Sequence, residues 1–231
     1  MKILKTVFVA LIALVIIAGC AQEKVVEDIV ASHPDNTEVI FENDYVKAVV
    51  FTLKPGEALP MHKGGPRTIY ALSDYVIKWT EGEDVSDKEW TKGDLHWHDA
   101  VAHAIENTGS TDARYLVVTR TAMALPDASD SDLSHDASQL DSEHSKILFE
   151  NDHVRVIEVT LDKGESQPKH DGLNRLIYSL SDYQLEYSYY KMNAVETDKE
   201  AGFVHWHTAD KHSVKNVGDT MAQYLVFSFK K

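Results

Sequence analysis

The chain repeats itself once, and that repeat limits what it can fold into. FENDYVKAVVFTL (41–53) returns as FENDHVRVIEVTL (149–161), IYALSDY (69–75) as IYSLSDY (177–183), and HWHDAVAHAIENTG (96–109) as HWHTADKHSVKNVG (205–218). The offset is 108 residues early and 109 late, so one residue is inserted in the middle loop of the second copy. Between 39–79 and 147–187, 19 of 41 positions are identical; between 93–120 and 202–229, 13 of 28 are. Only duplication produces such a match. Whatever architecture one copy of about 85 residues adopts, the other adopts too.

The copies read as β structure. VKAVVFTL, VRVIEVTL, YVIKW, YQLEYSYY, RYLVVTR and QYLVFSF are rich in β-branched and aromatic residues. KPGE, DKGE, ENTG and KNVG supply turns, and FEND opens each copy as a further turn. Short strands at regular spacing point to a sandwich or barrel, and a unit of this size can close a small barrel that holds one ligand. Between the copies, ALPDASDSDLSHDASQLDSEHS (124–145) has six acids and no Lys or Arg, and reads as a solvated connection. The expected organisation is residues 1–19 as a leader, 20–37 as a spacer with a short helix near 23–31, one unit over 38–121, a connection over 122–145, and the second unit over 146–231.

The amino terminus, MKILKTVFVALIALVIIAGC, has a basic start at Lys2 and Lys5, an apolar run from Val7 to Ile17, and small residues leading to Cys20. The apolar run is short for a membrane span and fits an export signal. Ile17-Ala18-Gly19-Cys20 resembles the bacterial lipobox, and the only cysteine of the chain stands where a lipobox needs it. The resemblance implies cleavage before Cys20 and lipidation of Cys20, hence a membrane partner reached through acyl chains. Ala21 and Gln22 carry no inner-membrane retention signal of the lipoprotein pattern, which favours an outer-membrane anchor facing the periplasm in a cell with two membranes. The body is acidic. The whole chain has 23 Lys and Arg against 37 Asp and Glu, for a formal charge of −14, and this argues against a nucleic-acid partner. One cysteine excludes an internal disulfide and a Cys-rich zinc module.

Eight of the 12 histidines form two matching sets: His62, His96, His98 and His103, then His170, His205, His207 and His212. Residues two apart on a strand share a face, so His96 pairs with His98 and His205 with His207, while Trp97 and Trp206 point the other way. Imidazole is a common ligand for Zn, Fe, Ni and Cu, and three ligands with an open position make a catalytic metal site. The plainer alternative is a set of hydrogen-bonded core histidines without metal. Arg67 and Arg175, with Tyr70 and Tyr178, recur beside the histidines. Arg can grip a carboxylate through two parallel hydrogen bonds, and would then hold an anionic small molecule. Alternatively, the two arginines form structural bridges with Asp74 and Asp182. Trp97 and Trp206 read as core aromatics in preference to substrate platforms.

Each copy resembles a cupin domain. Gly56 to His62 and Gly164 to His170 match the opening glycine and first histidine of the first cupin motif. His103 to Asn107 and His212 to Asn216 match the His-x-x-x-Asn of the second, and HWHDAVAHAIENTG is similar to the W-H-P-A-G run of small bacterial cupins. The resemblance covers nearly all of 38–231 and implies an all-β bicupin: two tandem jelly-roll β-barrels with pseudo-twofold symmetry. It also implies His62 and His103 as metal ligands in copy one, and His170 and His212 in copy two. The copies depart from the pattern. The second histidine of the first motif is Gly64 or Gly172, its glutamate is absent near Thr68 and Leu176, and the Pro-x-Gly turn has become Asp99-Ala100-Val101 and Thr208-Ala209-Asp210. His98 and His207 are the candidates to complete a three-histidine set, with His96 and His205 in reserve.

These readings converge on a lipid-anchored bicupin that binds a small, anionic ligand, through a divalent metal (Zn, Fe, Ni or Mn) if the histidines hold one. Metal-dependent oxygenation, isomerisation and decarboxylation are the family-typical activities. The competing reading is a non-catalytic structural or interaction lipoprotein with vestigial sites. Association of copies into a homo-oligomer is left open.

Overall fold

The computed structural model describes residues 25–189 and 193–230. The expected leader and the lipidated Cys20 lie outside the described residues. Copy one contains β1 (Thr37–Glu42), β2 (Val46–Leu53), β3 (Ala58–Gly64), β4 (Arg67–Ala71), β5 (Tyr75–Glu81), β6 (Asp84–Trp90), β7 (Leu95–His98), β8 (Val101–Asn107) and β9 (Ala113–Arg120). Copy two contains β10 (Ser145–Glu150), β11 (Val154–Leu161), β12 (Ser166–Gly172), β13 (Arg175–Ser179), β14 (Tyr183–Tyr189), β15 (Val195–Lys199), β16 (Val204–His207), β17 (Asp210–Asn216) and β18 (Ala222–Phe229). Each copy folds into a five-stranded sheet, ordered β1-β2-β9-β4-β7 or β10-β11-β18-β13-β16. A four-stranded sheet accompanies each, ordered β3-β8-β5-β6 or β12-β17-β14-β15. The all-β expectation is thus met by two sheet pairs of matching order.

The repeat reaches further upstream than its sequence identity shows. A helical turn, α1 (Ile29–Ser32), precedes β1, and another, α2 (Ala137–Leu140), precedes β10. Asp28 and Asp136 cap them, each side chain accepting from a backbone N–H three residues on. Ile29 and Ala137 are buried in the interiors of their own barrels. The expected spacer helix is therefore shorter and later than 23–31. The acidic connection ends in structure that closes barrel two.

Burial explains the hydrophobic patterning. Along β2, Val49, Phe51 and Leu53 face the interior of barrel one, while Val46, Ala48 and Val50 face the other barrel. A strand covered on both sides reads as a near-continuous apolar run. Strand β5 is covered on one side only, so Tyr75, Ile77 and Trp79 are buried and alternate with Val76, Lys78 and Thr80.

The two five-stranded sheets pack back to back through one shared core, in which Leu116 and Val118 meet Leu176, Leu225 and Phe227. Trp206 of copy two stacks on Tyr45 of copy one at 5.5 Å, and Trp97 of copy one stacks on His153 of copy two at 5.4 Å. Tyr45 and His153 are repeat equivalents, as are the two tryptophans, so the contacts are reciprocal, as pseudo-twofold symmetry requires. Both tryptophans belong to this interface, in line with the reading of them as core aromatics.

The motif residues Asn107 and Asn216 are fully buried and structural. Asn107 donates from Nδ2 to the carbonyls of Leu53 and Thr111, both at 2.8 Å, and Oδ1 accepts from Gly109 N–H. Asn216 repeats this with Leu161, Thr220 and Gly218. The FEND turns close on Asn43 and Asn151, whose side chains accept from the backbone two and three residues on.

Phe227 is fully buried in the shared core. Phe227→Ala is expected to lower the unfolding free energy by about 3–5 kcal/mol in denaturant titration. A loss under about 1 kcal/mol would mean that the barrels do not depend on each other.

Candidate functional site

A bulge sets up the histidine pair in each barrel. The β3–β8 register shifts between Leu59 and His62, which brings His62 directly opposite His103. The same shift between Gln167 and His170 brings His170 opposite His212. A bulge re-aims the side chain that follows it, and Pro60 and Pro168 occupy these bulges, where a missing N–H is tolerated. The proline carbonyls accept from Nδ1 of His62 at 2.8 Å and of His170 at 2.9 Å. The rings of each pair lie 4.2 Å apart, centroid to centroid.

Arg67 arrives from the opposite sheet. It pairs with His98 across β4–β7, as Arg175 pairs with His207. Both arginines are buried, at 5% and 2% exposure. A Cβ placed on Gly64 would stand 2.3 Å from Nη1 of Arg67, and one on Gly172 would stand 2.3 Å from Nη1 of Arg175. The glycines that replace the second histidine of the cupin motif are thus the residues that make room for a guanidinium.

The two guanidinium groups have different surroundings. Arg67 donates from Nη1 to the carbonyls of Gly65 (2.9 Å) and Asp99 (3.5 Å), and from Nη2 to Nε2 of His103 (3.3 Å). None of these partners is a carboxylate. Because Arg67 can only donate, His103 carries its proton on Nδ1, which faces the Val101 carbonyl at 3.4 Å. Arg175 donates to the carbonyls of Leu173 and Thr208 and also to Oδ1 of Asp210 at 3.0 Å and to the Tyr187 hydroxyl. Oδ1 of Asp210 lies 2.8 Å from Nδ1 of His212, and its Oδ2 accepts from Tyr187 at 3.2 Å. Burial pushes the Arg67 guanidinium down to about 10. Burial alone would raise Asp210, yet the hydrogen bond from His212 and the charge of Arg175 hold its carboxyl at about 2.

The expected three-histidine sets do not form in this structure. Trp79 stacks on His103 at 4.1 Å and on His98 at 4.6 Å, so one face of each imidazole is covered by the indole. Tyr187 does the same to His207 and His212. His96 is stacked on Trp90 at 3.7 Å, and the Nδ1 atoms of His96 and His205 are buried without a hydrogen bond. Among the described residues no group of three or more His, Cys, Asp or Glu is placed to hold a metal ion. A resident divalent ion does not fit this donor set: two imidazoles are offered, and a fixed cation already touches one of them.

Tyr70 and Tyr178 do not join the arginines. Successive residues on β4 point to opposite faces. Arg67 and Ile69 therefore line the cavity while Tyr70 is buried in the core between the barrels, and Tyr178 likewise. The expected Arg–Asp bridges are absent too: the Asp74 and Asp182 carboxylates accept from the backbone N–H groups of Lys92 and Ala201. Sequence reasoning missed Trp79, Tyr187 and Asp210. The one available signal was the mismatch of Val101 with Asp210 inside two otherwise similar HWH runs.

Each barrel encloses a cavity beside its arginine. That of barrel one has a volume of 730 Å³ and is walled by Phe51, Tyr75, Ile77, Trp79, Trp90 and Tyr115 among others. That of barrel two has 400 Å³. In barrel one the arrangement offers one buried cation, neutral imidazoles and an aromatic and aliphatic wall, with exposed acids such as Glu81 and Asp84 and lysines such as Lys63 and Lys88 also lining the cavity.

No family model matches the sequence, and no curated protein does. Solved structures do. A tryptophan-to-tyrosine variant of oxalate decarboxylase from Bacillus subtilis aligns with a TM-score of 0.59 at 15% identity, over 88% of this chain and 72% of that one. AerE from Microcystis aeruginosa aligns at 0.57 and 17% identity, over 84% and 97%. A cupin 2 conserved barrel domain protein from Leptotrichia buccalis aligns at 0.52 and 15% identity, over 84% and 88%. One structure of the B. subtilis decarboxylase concerns its Mn(II) centres. The chain has the cupin fold, as a tandem pair of jelly-roll barrels.

Burial of the imidazoles governs the pH response. It lowers His103 to about 2, His98 to about 4 and His96 to about 3, helped by the charge of Arg67. It lowers His207 and His212 to about 3 and His205 to about 4. An unfolded histidine titrates near 6.5, so below that pH the unfolded chain binds more protons. Stability is full above about pH 6.5 and falls as pH drops, by up to about 1.4 kcal/mol per pH unit for each such histidine. Urea midpoints should therefore fall from pH 7 to pH 5; an unchanged midpoint would contradict buried neutral rings.

Proposed function

We propose that this chain is an envelope lipoprotein whose bicupin body binds a small organic anion without a resident metal. A guanidinium takes the place that metal-dependent cupins give to an ion. The observation that carries this reading is the guanidinium seated against Gly64, where the motif histidine's side chain would stand, and lining a large cavity with many aromatic walls. A buried cation favours an anion strongly because water competes poorly there. The surrounding neutral imidazoles add hydrogen-bonding capacity but no charge, so the ligand class is a small carboxylate with an apolar body. Acylation of Cys20 and an outer-membrane location facing the periplasm complete the proposal. They rest on the lipobox-like sequence, and no helix among the described residues is long and apolar enough to cross a membrane. Chemistry on a bound metal, which the cupin resemblance implies, is not part of this reading.

Two measurements test it. Elemental analysis of the chain purified without residues 1–20 should find Zn, Fe, Ni and Mn far below one per chain, and chelator should leave the melting temperature unchanged. A carboxylate that binds should raise the melting temperature, by about 2.7 kcal/mol of stabilisation at a hundredfold excess over Kd, while its neutral amide should not. A stoichiometric metal lost in the His62→Ala, His170→Ala double variant would overturn the proposal.

A further inference from the structure

The two arginines sit in equivalent cradles, on equivalent strands and opposite equivalent histidines, yet only one of them has a carboxylate. Asp210 supplies it in barrel two, and the repeat-equivalent residue in barrel one is Val101. The aromatic beside the site changes in step. Tyr187 offers a hydroxyl to Asp210, whereas Trp79 in its place has no hydroxyl, and its Nε1 goes to Glu81 at 3.3 Å. Glu81 lies at the exposed end of β5 and lines the same cavity; its charge acts on Arg67 from a distance, without an ion pair. The cavity follows the same division, 730 Å³ in barrel one against 400 Å³ in barrel two.

Building on the proposed anion-binding function, we infer that barrel one alone is the receptor and that Asp210 fills the matching place in barrel two as a built-in ligand carboxylate. Asp210 thereby displays what the site recognises. One oxygen bridges the guanidinium (3.0 Å) and the motif histidine (2.8 Å), and the other is reached by a neighbouring hydroxyl. In barrel one Arg67 and His103 are present without that carboxylate, His103 meeting Arg67 through Nε2 with Nδ1 on the Val101 carbonyl, so an incoming carboxylate takes the guanidinium directly and reaches His103 once its ring turns as His212 is turned. One fixed positive charge matches a monoanion, and the wall of Phe51, Tyr75, Trp79, Trp90 and Tyr115 suits an aromatic or aliphatic body of modest size. Barrel two, with its charge already balanced inside the protein, serves as the structural half of the shared core.

Exchanging the two residues tests this. Calorimetric titration of the full chain in non-ionic detergent with benzoate, hexanoate and 1-naphthoate should give one site per chain for at least one of them, and benzamide should not bind. Val101→Asp should cut affinity for that probe roughly 100-fold. Barrel two already accommodates aspartate at this position, and thermal melting checks that the variant folds. Asp210→Val should raise the stoichiometry from one to two, and this variant carries the test alone if Val101→Asp fails to fold. Two equal sites in the wild type, or wild-type affinity in Val101→Asp, or a single site in folded Asp210→Val, would overturn the division of labour while leaving anion binding intact. No binding of any of the three carboxylates would overturn both.

Discussion

A guanidinium buried in a β-barrel has to be balanced, and much of this molecule is arranged around that requirement. Burial of an isolated charge is costly, and it persists only where hydrogen bonds and a counter-charge offset the lost water. Both barrels meet the hydrogen-bonding part with the same backbone scaffold, but the histidine turns Nε2 to the guanidinium in barrel one and Nδ1 in barrel two, where Tyr187 also accepts from the guanidinium. A glycine leaves space for the side chain, two backbone carbonyls accept from Nη1, and a cross-strand histidine meets Nη2. They differ in the counter-charge, which barrel two holds in direct contact as Asp210 and barrel one has only at a distance, in Glu81. On that difference rests the assignment of binding to one half.

The frame that allows this is the back-to-back pair of five-stranded sheets. Because β4 is covered on both faces, Arg67 and Ile69 can look into the barrel while Thr68 and Tyr70 are held from behind. The bulge at Pro60 then fixes where His62 meets His103 on the facing sheet. Site geometry is therefore set by strand register and sheet packing, with little left to mobile loops. Such a frame also explains why a duplicated half can lose its own ligand and remain in place: its five-stranded sheet is half of the core on which the other barrel rests.

Most of the fold was legible in the sequence because duplication and strand periodicity are local or self-referential signals. The repeat set the number of units, and the doubly covered β2 showed as the unbroken run VKAVVFTL. The pairing of His62 with His103 was legible through the motif spacing. The place of His98 was not. Alternation along β7 correctly gives His98 and His96 one face, but it says nothing of an indole from β5 stacking on that face. Tyr70 was misread for a related reason: two residues that recur together need not point the same way, and three positions along a strand reverse the side. The helical turn at Ala137, and its equivalence to the one at Ile29, escaped notice because that equivalence lies in capping and burial, with few shared identities.

The most direct test is a crystal structure of the chain grown with benzoate and a millimolar mixture of Mn and Zn, with anomalous data at both metal edges. The account predicts carboxylate density bridging Arg67 and the His62–His103 pair in barrel one, Asp210 still closed on Arg175 in barrel two, and no anomalous peak among the histidines. An ion held jointly by His62, His98 and His103, with Arg67 turned away from Gly64, would contradict it.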